Sequence, residues 1–319
     1  MVSIKVDHSQ LPTEAPIRDT GRVPDTSPRF AHLLADAWAA RDRAAGDRPR
    51  AHSDARFRHS DAGACARAVA YAALGVEPSD PMDLSGTWNT SLGTLVHDAW
   101  QAVVHERWPD ARIEATVRSC DGQGAGHIDA VIVDDDLTVS YELKTVGGFA
   151  FKMAVGERSA AQGPKWEHIT QAALNAKAVA ADEAVIGYLA KEALSVQVAR
   201  RKGFTEFGRF TAEWTFTRDE FLPYAAAEEA RIAGILDLLD RGILPARKIP
   251  NPDMPSGAVI VKPATGAWQA TDADGSMADA GSWWACDYCR WQTACASTKP
   301  GRQPVAEVAV RLGLEAVAS

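Results

Sequence analysis

The spacing of apolar residues along this chain changes twice, and the changes separate helical from extended stretches. Residues 1 to about 26 carry Pro12, Pro16 and Pro24 among scattered charges without periodicity, and read as a loosely held arm. Ser27 and Pro28 supply a helix cap and a first helical position, and RFAHLLADAWAARDRAA continues with helical spacing. Residues 46–61 are polar and rich in Arg and His, as expected of a connecting loop. A second helix is predicted from Ala62 through CARAVAYAAL to Gly75, which suits a helix stop. The second half of LSGTWNTSLGTLVHDAWQAVVHERW reads as a long helix ended by Pro109.

Beyond Pro109 the period shortens. RIEATVRS (112–119), GHIDAVIV (126–133) and LTVSYELKT (137–145) are short, β-branched and partly alternating, which predicts three consecutive strands. Residues 147–165 are mixed and contain glycine, and are expected to form a loop or short lid. A helix follows over 166–181, then strands at 184–192, at SVQVAR (195–200) and within FGRFTAEWTFT. Asp219 opens an Ala/Glu-rich helix reaching about Arg241. From Leu244 to Gly281 the chain is rich in Pro, Gly and Asp, and it closes with a tight Trp/Cys group and a polar tail. The succession of strands and helices describes a mixed α/β core with helical material before it.

Composition narrows the class. A chain of 319 residues with 46% hydrophobic and 24% charged content is globular, large enough for one big domain or two ordinary ones. Its formal charge of -8 gives no overall field attracting nucleic acid or membrane. No apolar run approaches the ~18 residues of a membrane span, and MVSIKVDHSQ lacks the apolar centre of a signal peptide, so a cytoplasmic location is expected with no membrane partner. Five cysteines are an odd and uneven set, better suited to a metal or cluster site than to a disulfide framework.

The strands at 126–133 and 137–145 hold the candidate chemistry. Glu142 and Lys144 are two apart and share a face. If Asp135 and Asp136 form a two-residue turn, Asp129 falls directly opposite Glu142, where like charges repel and a divalent cation between them would remove the conflict. Taken alone, such a hairpin could be a solvated edge. Ile128, Val131, Val133, Leu137, Val139 and Leu143 instead make both strands substantially apolar, as in a central sheet.

GHIDAVI followed by YELKT resembles the D...(D/E)xK core of the PD-(D/E)xK nucleases, and specifically of the RecB-like exonucleases. The resemblance implies a restriction-endonuclease-like α/β core in which Asp129 and Glu142 bind Mg2+ or Mn2+ and Lys144 helps position or activate the attacking water. Hard oxygen ligands suit Mg2+, and the cation neutralises the phosphodiester while activating water. His97, in LGTLVHDAWQ ahead of the hairpin, matches the family's metal-binding histidine. Gln171, in ITQAALNAKAV after the strands, matches the glutamine of the family's Q-x-x-x-Y pattern, with Asn175 standing in the tyrosine's place. Read without the family, a helical histidine such as His97 is more often a packed core residue than a ligand, and Gln171 reads as a surface glutamine.

Cys286, Cys289 and Cys295 are spaced C-x2-C-x5-C, and a four-coordinate site needs a fourth ligand, from Cys65 or Cys120. The resemblance extends to the iron-sulfur members of this family, the AddB-type and CRISPR-associated exonucleases. They carry one upstream cysteine, usually followed two residues later by arginine, as Cys65 is by Arg67. It implies a [4Fe-4S] cluster on Cys65, Cys286, Cys289 and Cys295 in a structural role, with zinc as the second choice and Cys120 a bystander.

DNA ends are the implied substrate, with recombination, repair, phage DNA processing or CRISPR adaptation as the setting and proteins of those processes as possible partners. Between Glu142 and Lys202 nine basic residues face six acidic ones, a local positive excess. Trp166, Trp283, Trp284 and Trp291 offer stacking surfaces for a single strand, although packing explains most such residues. The expected organisation is an N-terminal arm and helix over 1–61, the nuclease domain over 62–297 closed by the cysteine cluster, and a tail over 298–319. A non-catalytic DNA-binding or assembly module with the same fold is the alternative.

Overall fold

The computed structural model of this chain describes residues 54–134, 136–157, 160–248, 259–261, 268–271, 277–282 and 284–312. All belong to one compact unit, residues 48–319. The helix expected after Ser27 and Pro28 lies outside the described residues.

The switch to alternating spacing at Arg112 does begin a sheet. Its strands are β1 (Phe57–Arg58), β2 (Arg112–Ser119), β3 (Gly124–Asp134), β4 (Leu137–Val146), β5 (Glu183–Ala190) and β6 (Thr211–Thr217), in the order β1-β3-β4-β5-β6 with β2 on the other edge of β3. The strands β2, β3 and β4 run antiparallel, β4 and β5 parallel, and β5 and β6 antiparallel, so the sheet is mixed. A parallel step needs a crossover. Here α3 (Gly148–Ala154) and α4 (Trp166–Ala178) supply it, α3 standing where a loop or lid was expected. The hairpin turn carries Asp136 at φ 73, the left-handed region a tight two-residue turn requires. Asp134 then pairs with Leu137 and Ala130 with Tyr141, the register that aligns Asp129 with Glu142.

Helices cover both faces. The helix α2 (Leu84–Arg107) is capped by the Asp83 side chain, which accepts from the Gly86 amide at 2.7 Å, so the helical run spans the whole segment rather than its second half. Its Val104 packs on Ala130 and Ile132, and its Trp100 on Tyr141. One residue on, Glu142 points the other way, toward α4. Beyond α4 lies α6 (Arg218–Asp240), started by a reciprocal Thr217 and Glu220 cap. Between α4, α6 and α1 (Ala66–Ala73) sits the main core, with Phe57, Val69, Tyr71, Leu174, Phe221, Ile232 and Leu239. No helix among the described residues is long and apolar enough to cross a membrane.

Two expectations need correction. SVQVAR is not a strand: Ser195 caps the amide of Val198, Gly203 closes the other end at φ 70, and α5 (Val196–Lys202) lies between. Two valines in six residues fit either period, and the cap residues were the better signal. Residues beyond Ser297 are not simply a tail. After α7 (Gln292–Ala296), β11 (Gln303–Pro304) pairs with β7 (Ile243–Leu244), and α8 (Val305–Leu312) buries Val308 and Ala309. The Pro/Gly/Asp-rich stretch contributes β8 (Val259–Val261), β9 (Gln269–Thr271) and β10 (Met277–Ser282), an antiparallel trio.

Candidate functional site

The site is a gap in the sheet. On one edge β3 pairs with β2 along most of its length. On the other edge β1 pairs with Gly124 and Ala125, and β4 pairs only from Ala130 onward. Between them, Gly126 to Asp129 face no strand on that edge. Side chains take over the hydrogen bonds there, as buried backbone groups require. Asp129 Oδ2 accepts from the Leu143 amide at 2.7 Å, and Asn175 Nδ2 donates to the His127 carbonyl at 3.1 Å. The gap opens into a cavity of about 480 Å3 lined by His97, Asp129, Glu142, Lys144 and Gln171, and on the β1 side by Arg58, Ser60 and His127.

All five residues singled out in the sequence for hydrolytic chemistry therefore meet at one place. Glu142 is almost wholly buried; its Oε1 accepts from Lys144 Nζ at 2.6 Å and Gln171 Nε2 at 2.7 Å, and its Oε2 from Asn175 Nδ2 at 2.9 Å. Lys144 Nζ also donates to Gln171 Oε1 at 2.9 Å, closing a three-membered ring. Across the gap, His97 Nδ1 lies 3.2 Å from Asp129 Oδ1. The helix α2 that brings His97 there passes close to β4 at Gly93, where an added Cβ would stand 3.0 Å from Thr145 Oγ1.

The electrostatics follow from this crowding. Burial pushes the Glu142 carboxyl above the ordinary carboxylate range, with the nearby Asp129 charge adding to the rise and Lys144 opposing it. For His97, burial favours the neutral ring, but the hydrogen bond and charge of Asp129 outweigh it and hold the imidazole above its ordinary pKa. Among the described residues no three His, Cys, Asp or Glu side chains converge closely enough to hold a metal ion as they stand. At this gap Lys144 lies on Glu142 and His97 on Asp129. The donor set of two carboxylates and an imidazole on one cavity nevertheless fits a hard or borderline divalent cation, once Lys144 turns aside.

Two residues here were not anticipated. Asn175 entered only as a departure from a family pattern, although its position one turn after Gln171 puts both on the same face of α4. His59 lies in a stretch read as a loop; it is fully buried, with Nδ1 2.7 Å from Asn175 Oδ1 and Nε2 2.7 Å from Ser119 Oγ. No spacing rule points to it.

A second cavity, of about 390 Å3, is lined by Cys65, Cys286, Cys289 and Cys295, with Arg67, Tyr71, Arg247, Trp268 and Trp291. Cys65 caps α1, Cys286 sits in the short 3-10 turn Trp284–Tyr288, and Cys295 is on α7. Cys120 lines a different cavity, beside α6. Burial, reinforced by the other cysteines as neighbouring charges, pushes the Cys286 thiol far up and Cys289 up to about 11. Ionising these thiols would require positive charge nearby. Arg67 is buried and donates to the carbonyls of Pro245, Lys299 and Gly301 and to Thr298 Oγ1. Arg247 binds the Cys295 and Thr298 carbonyls. Trp291 donates its ring N–H to the Val76 carbonyl at 2.9 Å, and Asp80 caps the Thr293 amide at 2.7 Å, so ordinary hydrogen bonds already join this segment to the chain after α1.

Of the tryptophans considered for stacking, Trp166 packs on Tyr224 with ring centroids 5.3 Å apart and Trp291 on Tyr71. Trp283 and the side chain of Trp284 lie outside the described residues. Part of the local basic excess is also engaged: Lys177 pairs with Glu229 and Lys191 binds Asn89 Oδ1.

The fold and site together define a mixed α/β protein, with helices on both faces of its sheet and an acid-lysine centre in a sheet gap. No family model matches the chain, and no curated protein does. Among solved structures it is similar to SSO0001, with 16% identity and a TM-score of 0.40, covering 64% of this chain and 87% of that one. A likeness of that size carries no argument about activity.

Proposed function

We propose that this chain is a metal-dependent deoxyribonuclease of the RecB-like PD-(D/E)xK type, hydrolysing phosphodiester bonds at DNA ends. The observation that carries the reading is the convergence of Asp129, Glu142, Lys144, Gln171 and His97 on one cavity from four elements, the β3–β4 hairpin and the helices α2 and α4. Asp129, Glu142 and His97 would hold Mg2+ or Mn2+. When bound, the cation supplies charge neutralisation of the phosphodiester and activation of water. Lys144, released from Glu142, presents an ammonium to a phosphate oxygen or the attacking water. Gln171, hydrogen-bonded to both, fixes where that ammonium sits. The resemblance implies a 5'-phosphate and a 3'-hydroxyl as products. On the same reading Cys65, Cys286, Cys289 and Cys295 hold a [4Fe-4S] cluster, with zinc as the second choice, stapling the C-terminal segment to α1.

The test is degradation of linear and covalently closed circular DNA by protein purified without oxygen, with Mg2+ or Mn2+. Linear DNA is expected to be digested, circular DNA spared and chelator to stop the reaction. Lys144→Ala should lower the rate by about 10^2 to 10^3-fold while leaving DNA binding, as loss of one charge-stabilising donor does elsewhere. If wild type binds linear DNA but digests none with either metal, the chain is a binding module and the enzyme reading falls.

A further inference from the structure

We propose that Asn175 and His59 are positioning residues for Glu142, a buried relay that fixes the carboxylate for its cation. The proposal rests on the reading of Glu142 as a metal ligand and adds His59, which no motif contains, and Asn175, which departs from the family pattern.

The hydrogen-bond pattern permits one arrangement. Asn175 Nδ2 lies 2.9 Å from Glu142 Oε2 and 3.1 Å from the His127 carbonyl. A carbonyl only accepts, so the amide nitrogen must face that side and the amide oxygen must face His59. His59 Nδ1, 2.7 Å from that oxygen, must then carry the proton. The far nitrogen meets Ser119 Oγ at 2.7 Å, on the last residue of β2. A chain of hydrogen bonds thus runs from β2 through His59 and Asn175 to Glu142, and the links from His59 Nδ1 to Asn175 and from Asn175 to Glu142 are fixed in direction.

Placing a fully buried imidazole beside a fully buried amide is expensive unless each finds partners, and an apolar pair would fill the space more simply. The sequence makes room for them. An added Cβ at Gly126 would stand 2.5 Å from His59 Nδ1, so a larger residue there would expel the ring. With Oε2 held by Asn175 and Oε1 held by Gln171 and Lys144, the carboxylate cannot rotate. Lys144 and Gln171 both occupy Oε1, so a cation would enter on that side of the carboxylate while Asn175 keeps Oε2 in its orientation. Partners of this kind set ligand orientation and typically change metal affinity by 10 to 100-fold.

The experiment titrates Mn2+ into the full chain, without DNA, by calorimetry or by the paramagnetic signal of the free ion. Four variants are compared: Glu142→Gln, Asn175→Leu, His59→Asn and His59→Gln. The amide nitrogen of His59→Asn falls where Nδ1 was and keeps the donor to Asn175, whereas His59→Gln reaches the Ser119 end instead. Glu142→Gln should abolish the site. Asn175→Leu and His59→Gln should weaken Mn2+ about tenfold, and His59→Asn should stay close to wild type. The contrast between the two His59 variants separates positioning from packing, since both remove the same ring.

Equal weakening by His59→Asn and His59→Gln overturns the relay, as does wild-type affinity in Asn175→Leu and His59→Gln. Should Asn175→Leu not fold, the His59 pair decides alone. Unchanged binding in Glu142→Gln would instead remove Glu142 as a ligand, and the functional reading would fall together with the relay.

Discussion

The two cavities solve the problem of gathering like charges in opposite ways. At the sheet gap the negative groups bring their own counter-charges: Lys144 sits on Glu142 and His97 on Asp129, and uncharged amides from α4 complete the shell. Every partner stands on a regular strand or helix. At the cysteine cavity burial pushes the thiols of Cys286, Cys289 and Cys295 above their ordinary pKa, and the positive charge nearby belongs to arginines already committed to backbone carbonyls. The first centre is self-consistent as it stands, while the second is ready to ionise only when something cationic arrives. The two cavities therefore differ in whether the fold itself supplies the compensating charge.

That contrast breaks most readily at the cysteines. Cys289→Ser should lose the visible absorption of anaerobically purified protein, several kcal/mol of folding free energy and the protection of residues 298–312 from protease, whereas Cys120→Ser should keep all three. If Cys120→Ser and Cys289→Ser behave alike, the four-cysteine assignment is wrong. Next in size, Arg67→Met removes the donor to three carbonyls and one hydroxyl, and should cost about 3 kcal/mol in denaturant unfolding whether or not metal is present. A loss well below that would mean water replaces the guanidinium.

The smallest effect sharpens the other side. His97 has its pKa raised above 6.5 by Asp129, so its pairing stabilises the metal-free protein fully below pH 6.5, and that contribution disappears as pH rises through the raised value. Unfolding in chelator should therefore show a wild-type advantage over His97→Gln of about 1 kcal/mol or less in mild acid, vanishing in mild base. An advantage that grows with pH would reverse the sign and dismiss the ion pair.

Much of the site was legible because its chemistry is local to a hairpin. The turn at Asp135 and Asp136, the alternation in both strands and the two-residue step from Glu142 to Lys144 set one register, and Ala130 opposite Tyr141 is that register. Gln171 was legible only by its order in the chain, and Asn175 only as an exception. The segment at 195–200 misled because two valines fit both periods. Helix α8 was passed over because its buried face is short, with Val308 finding its cover in the core shared by α1 and α6.

What the sequence determined by itself is whatever depends on neighbours in the chain: strand and helix periods, caps, the hairpin register and the C-x2-C-x5-C spacing. Only the tertiary structure decided that β4 parts from β3 beside Asp129, that β1 takes up the edge beyond, and that His59 closes the space behind Asn175. Those facts depend on where several segments meet, His59 and Asn175 standing 116 positions apart, where no period carries information and where burial makes hydrogen bonding obligatory.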